Sequence, residues 1–131
     1  MALPPSTVLW VALGGSLGAA LRFLIGEWAR QLPSLGSFPW ATLGINVTGS
    51  LLLGALAGGA LLGESASPQL RALLMIGVLG GFTTFSSFSL ETVAMLQSGA
   101  WARALLYTLT SVALSVGAAA LGLTLARGSG A

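Results

Sequence analysis

The chain has 131 residues, 55% of them apolar and only 6% charged, with a net charge of +2 and no Cys, His, Asp or Lys. Soluble domains carry about 25% charged residues, so this surface cannot face water all round, and residues 1–131 read as one membrane-embedded domain. The missing residue types remove disulfides, thiolate or imidazole metal sites and the usual general bases, which excludes an enzyme, and five scattered arginines form no basic patch for nucleic acid.

A helical span needs roughly 20 apolar residues. Residues 7–25, 40–62, 72–97 and 104–126 qualify. The N-terminus has neither a basic leader nor an evident cleavage site, so the first apolar run is expected to be a retained span. The connections 26–39, 63–71 and 98–103 carry charge, Pro or Gly-Ser chemistry. Trp10, Trp28, Trp40 and Trp101 fall near span ends, where interfacial tryptophans belong.

In the first span Gly14, Gly18 and Arg22 recur every four residues on one face. Small residues there admit another helix closely. Arg22 then pairs or draws anions toward a vestibule, unless it only snorkels at the end of the span.

Thr42, Asn46, Ser50, Gly54 and Gly58 form one stripe along the second span, polar above and glycine below. The Asn46 amide needs partners in lipid. A wet pore wall supplies them, and so does hydrogen bonding between helices.

The third span holds the stretch that organises the chain, Gly77 to Glu91. Gly80-Gly81 is a weak point in any helix. Thr83, Thr84, Ser86, Ser87 and Ser89 then interleave with Phe82, Phe85 and Phe88. A break at membrane depth frees backbone groups that must find partners or face a cavity, and such breaks are where small ions bind. The phenyl edges are electropositive. With neutral hydroxyl and amide donors they can replace part of an anion's water shell without the full charge that would hold it too tightly.

In the fourth span Tyr107, Ser111 and Ser115 step by four and make a ladder of hydroxyls. Arg71 and Arg127 lie on one side of the membrane, and Arg30 and Arg103, with Arg22 nearby, on the other. The positive-inside rule gives almost no bias, so both orientations are expected, and two copies can pair antiparallel about a twofold axis in the membrane plane.

The runs Gly14-Gly-Ser-Leu-Gly-Ala-Ala-Leu-Arg22, Gly44-Ile-Asn-Val-Thr-Gly-Ser50 and Gly80-Gly-Phe-Thr-Thr-Phe-Ser-Ser-Phe-Ser-Leu-Glu91 together resemble the bacterial CrcB, or Fluc, fluoride channel family over essentially the whole chain. The resemblance implies an all-α membrane protein of four transmembrane helices, the third broken at its centre, assembled as an antiparallel dual-topology homodimer in the cell inner membrane. It implies passive export of fluoride through two pores, and a structural sodium ion at the dimer centre. Carried over by motif, the pore asparagine is Asn46 and the pore phenylalanines are Phe85 and Phe88. The polar track is Tyr107, Ser111 and Ser115 with Ser87, the first-motif arginine is Arg22, and the third-span carboxylate is Glu91. The sodium-binding carbonyls fall on Gly80 and Thr83. One departure is visible: Ser87 stands where the family usually shows threonine, which keeps the hydroxyl and loses a methyl. The alternative is a small multidrug-type, proton-coupled exporter, a class that uses a carboxylate in mid first span. Residues 7–21 contain none. A scaffold subunit, in which the hydroxyl stripes merely join helices, is the reading from another class.

Overall fold

The computed structural model describes residues 5–60, 62–63 and 66–128. Glu64, and with it part of the second connection, lies outside the described residues. Among the described residues four helical segments are long and apolar enough to cross a membrane.

Helix α1 (Pro5–Arg30) runs past the expected end at residue 25, because Gly26 and the ion-paired turn Glu27–Arg30 (2.7 Å) continue it. A short 3₁₀ turn, Pro33–Leu35, leads to α2 (Trp40–Ala57). The expected second span reached residue 62, but α2 stops earlier for a local reason. Gly59 takes φ 101°, its N–H donates to Leu56 O (3.2 Å), and Ala60 N–H donates to Ala55 O (3.0 Å). That pair of bonds is the glycine-dependent Schellman ending.

The third span, Pro68–Gln97, is assembled from pieces. Ser67 Oγ accepts from Leu70 N–H (3.2 Å) and caps α3 (Pro68–Arg71), whose first residue is a proline with no donor to lose. The chain continues as a π-helix (Ala72–Leu79) and one turn, α4 (Gly80–Phe82). Thr83 (φ −74°, ψ 158°) and Thr84 (φ −152°, ψ 117°) are extended, and α5 (Phe85–Gln97) begins. The helix is therefore broken as expected, but at Thr83-Thr84 rather than at Gly80-Gly81. The latter pair stays helical, and Gly81 is small for another reason: a Cβ there would sit 2.6 Å from Gly15 O. Gly99 (φ 77°) closes α5 with a second Schellman ending, and α6 (Trp101–Gly128) follows.

The spans pair alternately. The first half of the third span packs on α1, and α6 packs on α2, while α1 and α2 touch little. Glycines make both seams. A Cβ on Gly77 would lie 2.8 Å from Gly14 Cα, and one on Gly18 would strike Val78 O. On the other seam Gly54 meets Ala119, and Gly122 meets Leu51. Lipid offers no hydrophobic drive between helices, so this close backbone approach is what holds them. The Gly14/Gly18 face and the glycine half of the second-span stripe thus do what their spacing suggested. The outward leucines of α1 and α6, with Trp28, Trp40 and Trp101, are exposed and available to lipid and its interface.

Candidate ion pathway

The site is built around Thr84. Its side chain starts α5, with Oγ1 accepting from Ser87 N–H (3.1 Å) and donating to Ser87 Oγ (3.1 Å). Its amide would serve the Gly80 carbonyl in a continuing helix, but here donates to Asn46 Oδ1 (2.8 Å). Asn46 Nδ2 donates back to Thr84 O (3.0 Å). On the near side of the break Thr83 Oγ1 donates to Leu79 O (3.0 Å), and Arg22 Nε donates to Gly81 O (3.1 Å). Arg22 thus ends on the carbonyl end of a helix, a position that favours a cation, and does not merely snorkel.

A second cluster surrounds Glu91. Thr42 Oγ1 donates to Oε1 (2.7 Å) and the Tyr107 hydroxyl to Oε2 (2.6 Å). Two neutral hydroxyls from α2 and α6 therefore supply the carboxyl group that α5 carries into the bundle. Tyr107 is fully buried, with its ring between Phe38 (centroids 5.5 Å) and Phe88 (5.2 Å).

Two cavities meet at this wall. One, about 540 Å³, is lined by Arg22, Arg30, Trp40, Thr42, Ser87 and Glu91 among others. The second, about 330 Å³, is a groove lined by Asn46, Ser50, Thr83, Phe85, Phe88, Ser111, Ser115 and neighbouring aliphatic residues. Thr84 lines both. The groove carries no formal charge. Phe85 and Phe88 stand 5.4 Å apart, the first 78% exposed and the second buried. Ser111 Oγ is buried near the Tyr107 oxygen, yet makes no hydrogen bond of acceptable geometry among the described residues. A buried hydroxyl without a partner beside a cavity is suited to a polar guest.

The residues singled out in the sequence are thus divided. Asn46, Phe85, Phe88, Ser111, Ser115 and Thr83 line the groove, and Arg22, Ser87 and Glu91 line the wider cavity. Tyr107 lines neither and stands behind Glu91. Gly80 lies one turn back in α4. Sequence reasoning did not assign Thr42, Ser50 or Thr84 to the site. Thr42 and Ser50 were legible as members of the Asn46 stripe, whereas Thr84 had no signal beyond its hydroxyl.

Residues 9–123 match the family described as "CrcB-like protein, Camphor Resistance (CrcB)". The chain is 48% identical over 130 residues to the fluoride-specific ion channel FluC of Erythrobacter litoralis, covering 95% of this chain and 96% of that protein. It is 54% identical over 121 residues to the protein of the same name from Hyphomonas neptunium, covering 91% and 94%. It is 50% identical over 125 residues to that of Rhodospirillum centenum, covering 92% and 94%. With four membrane-crossing segments, a broken third span and a family match over most of its length, this chain is a multi-pass membrane protein that belongs to the CrcB family.

Proposed function

We propose that the chain is a fluoride-selective channel that lets the ion leave the cell passively and so relieves its toxicity. The observation that carries this is the groove itself: neutral hydroxyls, an amide and two phenyl rings, with no fixed charge. A small, strongly hydrated anion needs many weak donors to replace its water, and needs them weak enough to let it go. In the wider cavity Arg30 is paired with Glu27 and Glu91 lies in the same wall, so Arg22 is the cation left to draw anions toward the Thr84 wall. Relatives about half identical over nine-tenths of the chain bear the name of fluoride-specific channels, which agrees with this reading.

The working unit on this reading is an antiparallel homodimer with two pores. Phe85, Leu90, Val112 and Val116 lie exposed on one protomer, and Phe85, Val112 and Val116 also border the groove. A second, antiparallel copy seated there would close the groove from its open side, and the balanced arginine count leaves both orientations in the membrane available. The carbonyls of Gly80 and Thr83 would hold a structural sodium ion at the dimer axis. The Thr84 amide is diverted from the Gly80 carbonyl, and Thr83 is extended, so both oxygens leave the helical ladder. Hard cations take such oxygens, and the ion would brace the break without taking part in conduction. No observation favours proton-coupled drug export: α1 has no carboxylate before Glu27, and Glu91 sits in the third span, bound by two hydroxyls.

The test is efflux from liposomes holding fluoride or chloride. Fluoride is expected to leave and chloride to stay. Phe85→Ile and Phe88→Ile are each expected to cut fluoride flux while the dimer persists on size exclusion. Equal loss of both anions from the wild type would overturn the proposal, and unchanged flux in both variants would remove the ring edges from the mechanism.

A further inference from the structure

Asn46 meets Thr84 at both ends of its carboxamide, accepting from the Thr84 N–H at 2.8 Å and donating to the Thr84 carbonyl at 3.0 Å. This is the double bond pattern of two paired extended strands, made by one side chain. Its orientation is fixed by chemistry, because a flipped amide would set N–H against N–H. A carboxamide offers two donors and two acceptor lone pairs, and this ring uses one of each.

The residue so held is the one at which the helix stops. Thr84 then caps α5 through its own hydroxyl, and the first turn of α5 carries Phe85 and Phe88. Thr84 also forms wall in both cavities. We infer that Asn46 is a positioning residue: it clasps the Thr84 backbone, fixes the extended geometry of the break at that point, and through it sets the two phenyl rings at the groove. Both polar atoms of the carboxamide are thus committed to the Thr84 backbone, with one N–H left over. This rests on the channel reading above and deepens it.

The test is chosen to separate the two. Hydrogen exchange is followed at the Thr84 amide in ¹⁵N-threonine-labelled, full-length protein, the signal being assigned by its loss in Thr84→Ser. The clasp requires a protected Thr84 amide, unchanged on adding sodium fluoride. In Asn46→Ser it should exchange faster by about tenfold or more, the order expected when a buried backbone donor loses its partner. The Thr83 amide, which donates to Leu79 O, should hold its rate. An unprotected Thr84 amide in the wild type, release of its protection by fluoride, or equal protection in Asn46→Ser would overturn the inference, and none of these depends on conduction.

Flux supplies the second arm. Replacing Thr84 by its α-hydroxy acid exchanges the N–H for an ester oxygen, which removes the donor and also weakens the Thr83 carbonyl as an acceptor. That ester and Asn46→Ser should each lower fluoride flux and the fluoride-over-chloride preference, with the protein still monodisperse. Combined, they should be no worse than the poorer one, because both break one clasp. Losses that multiply would mean that Asn46 acts on the ion independently of Thr84, and would overturn the inference.

Discussion

Gly18 is the sharpest place to test how the bundle is held. A Cβ added there would lie 2.8 Å from Phe82 N and closer still to Val78 O, inside the 3.0 Å that real Cβ atoms respect. Both obstacles are backbone, so no side chain can swing aside, and α1 and the third span must part by about an ångström. Overpacking of this kind costs about 3 kcal/mol at the upper end. Alanine regains about 1 kcal/mol as the better helix former. The net loss for Gly18→Ala is therefore about 2 kcal/mol, a shift of roughly 30-fold in the folding equilibrium. Gly15→Ala is the internal control: it sits on the same helix with nothing within 4 Å of its Cβ, and should be neutral or slightly stabilising. Tryptophan fluorescence during SDS unfolding in mixed micelles reads the stability, and liposomal fluoride efflux reads the function. The wedge lands one residue before the break, so flux should fall with stability in Gly18→Ala alone. A wild-type unfolding midpoint in Gly18→Ala would refute the seam argument. Equal damage in Gly15→Ala would show that the loss comes from glycine itself and not from the contact.

Two further outcomes follow from the hydroxyls. Ser111→Ala removes an oxygen with no partner among the described residues, so stability should stay within about 0.5 kcal/mol while fluoride flux falls; a collapsed fold with no change in flux per folded protein would instead mark Ser111 as a joint between helices. Tyr107→Phe keeps the ring packed against Phe38 and Phe88 but leaves Glu91 Oε2 without its donor, at a cost of about 2 kcal/mol; an unchanged unfolding midpoint would show that this bond contributes nothing.

Much of this architecture was legible because lipid makes strict demands on spacing. The four-residue recurrence of Gly14, Gly18 and Arg22 marked a face, and that face meets the third span. The Thr42-to-Gly58 stripe held two roles in one line, a polar half at the site and a glycine half against α6. The position of the break was not legible. Local propensity pointed to Gly80-Gly81, yet a glycine pair stays helical where a neighbour supports it, and the helix yields where a distant amide captures Thr84 N–H. That is a tertiary bond across 38 positions, with no local trace. The π-helical run before the break was hidden for the same reason, as was the pairing of Glu91 with Thr42 and Tyr107. Each partner was visible on its own helix, but their meeting depends on how the helices are docked.

The alternation of the seams also bears on how the chain is made. Spans emerge from the ribosome one after another, and here no two successive ones form a finished hairpin, since α1 waits for the third and α2 for the last. The first two spans must therefore reside in the bilayer for a time without their partners, and each is long and apolar enough to cross it. The seams can then close in turn, the first with the third span and the second only with the last: a chain cut after Gln97 would leave the glycine edge of α2 bare, with no α6 to cover it.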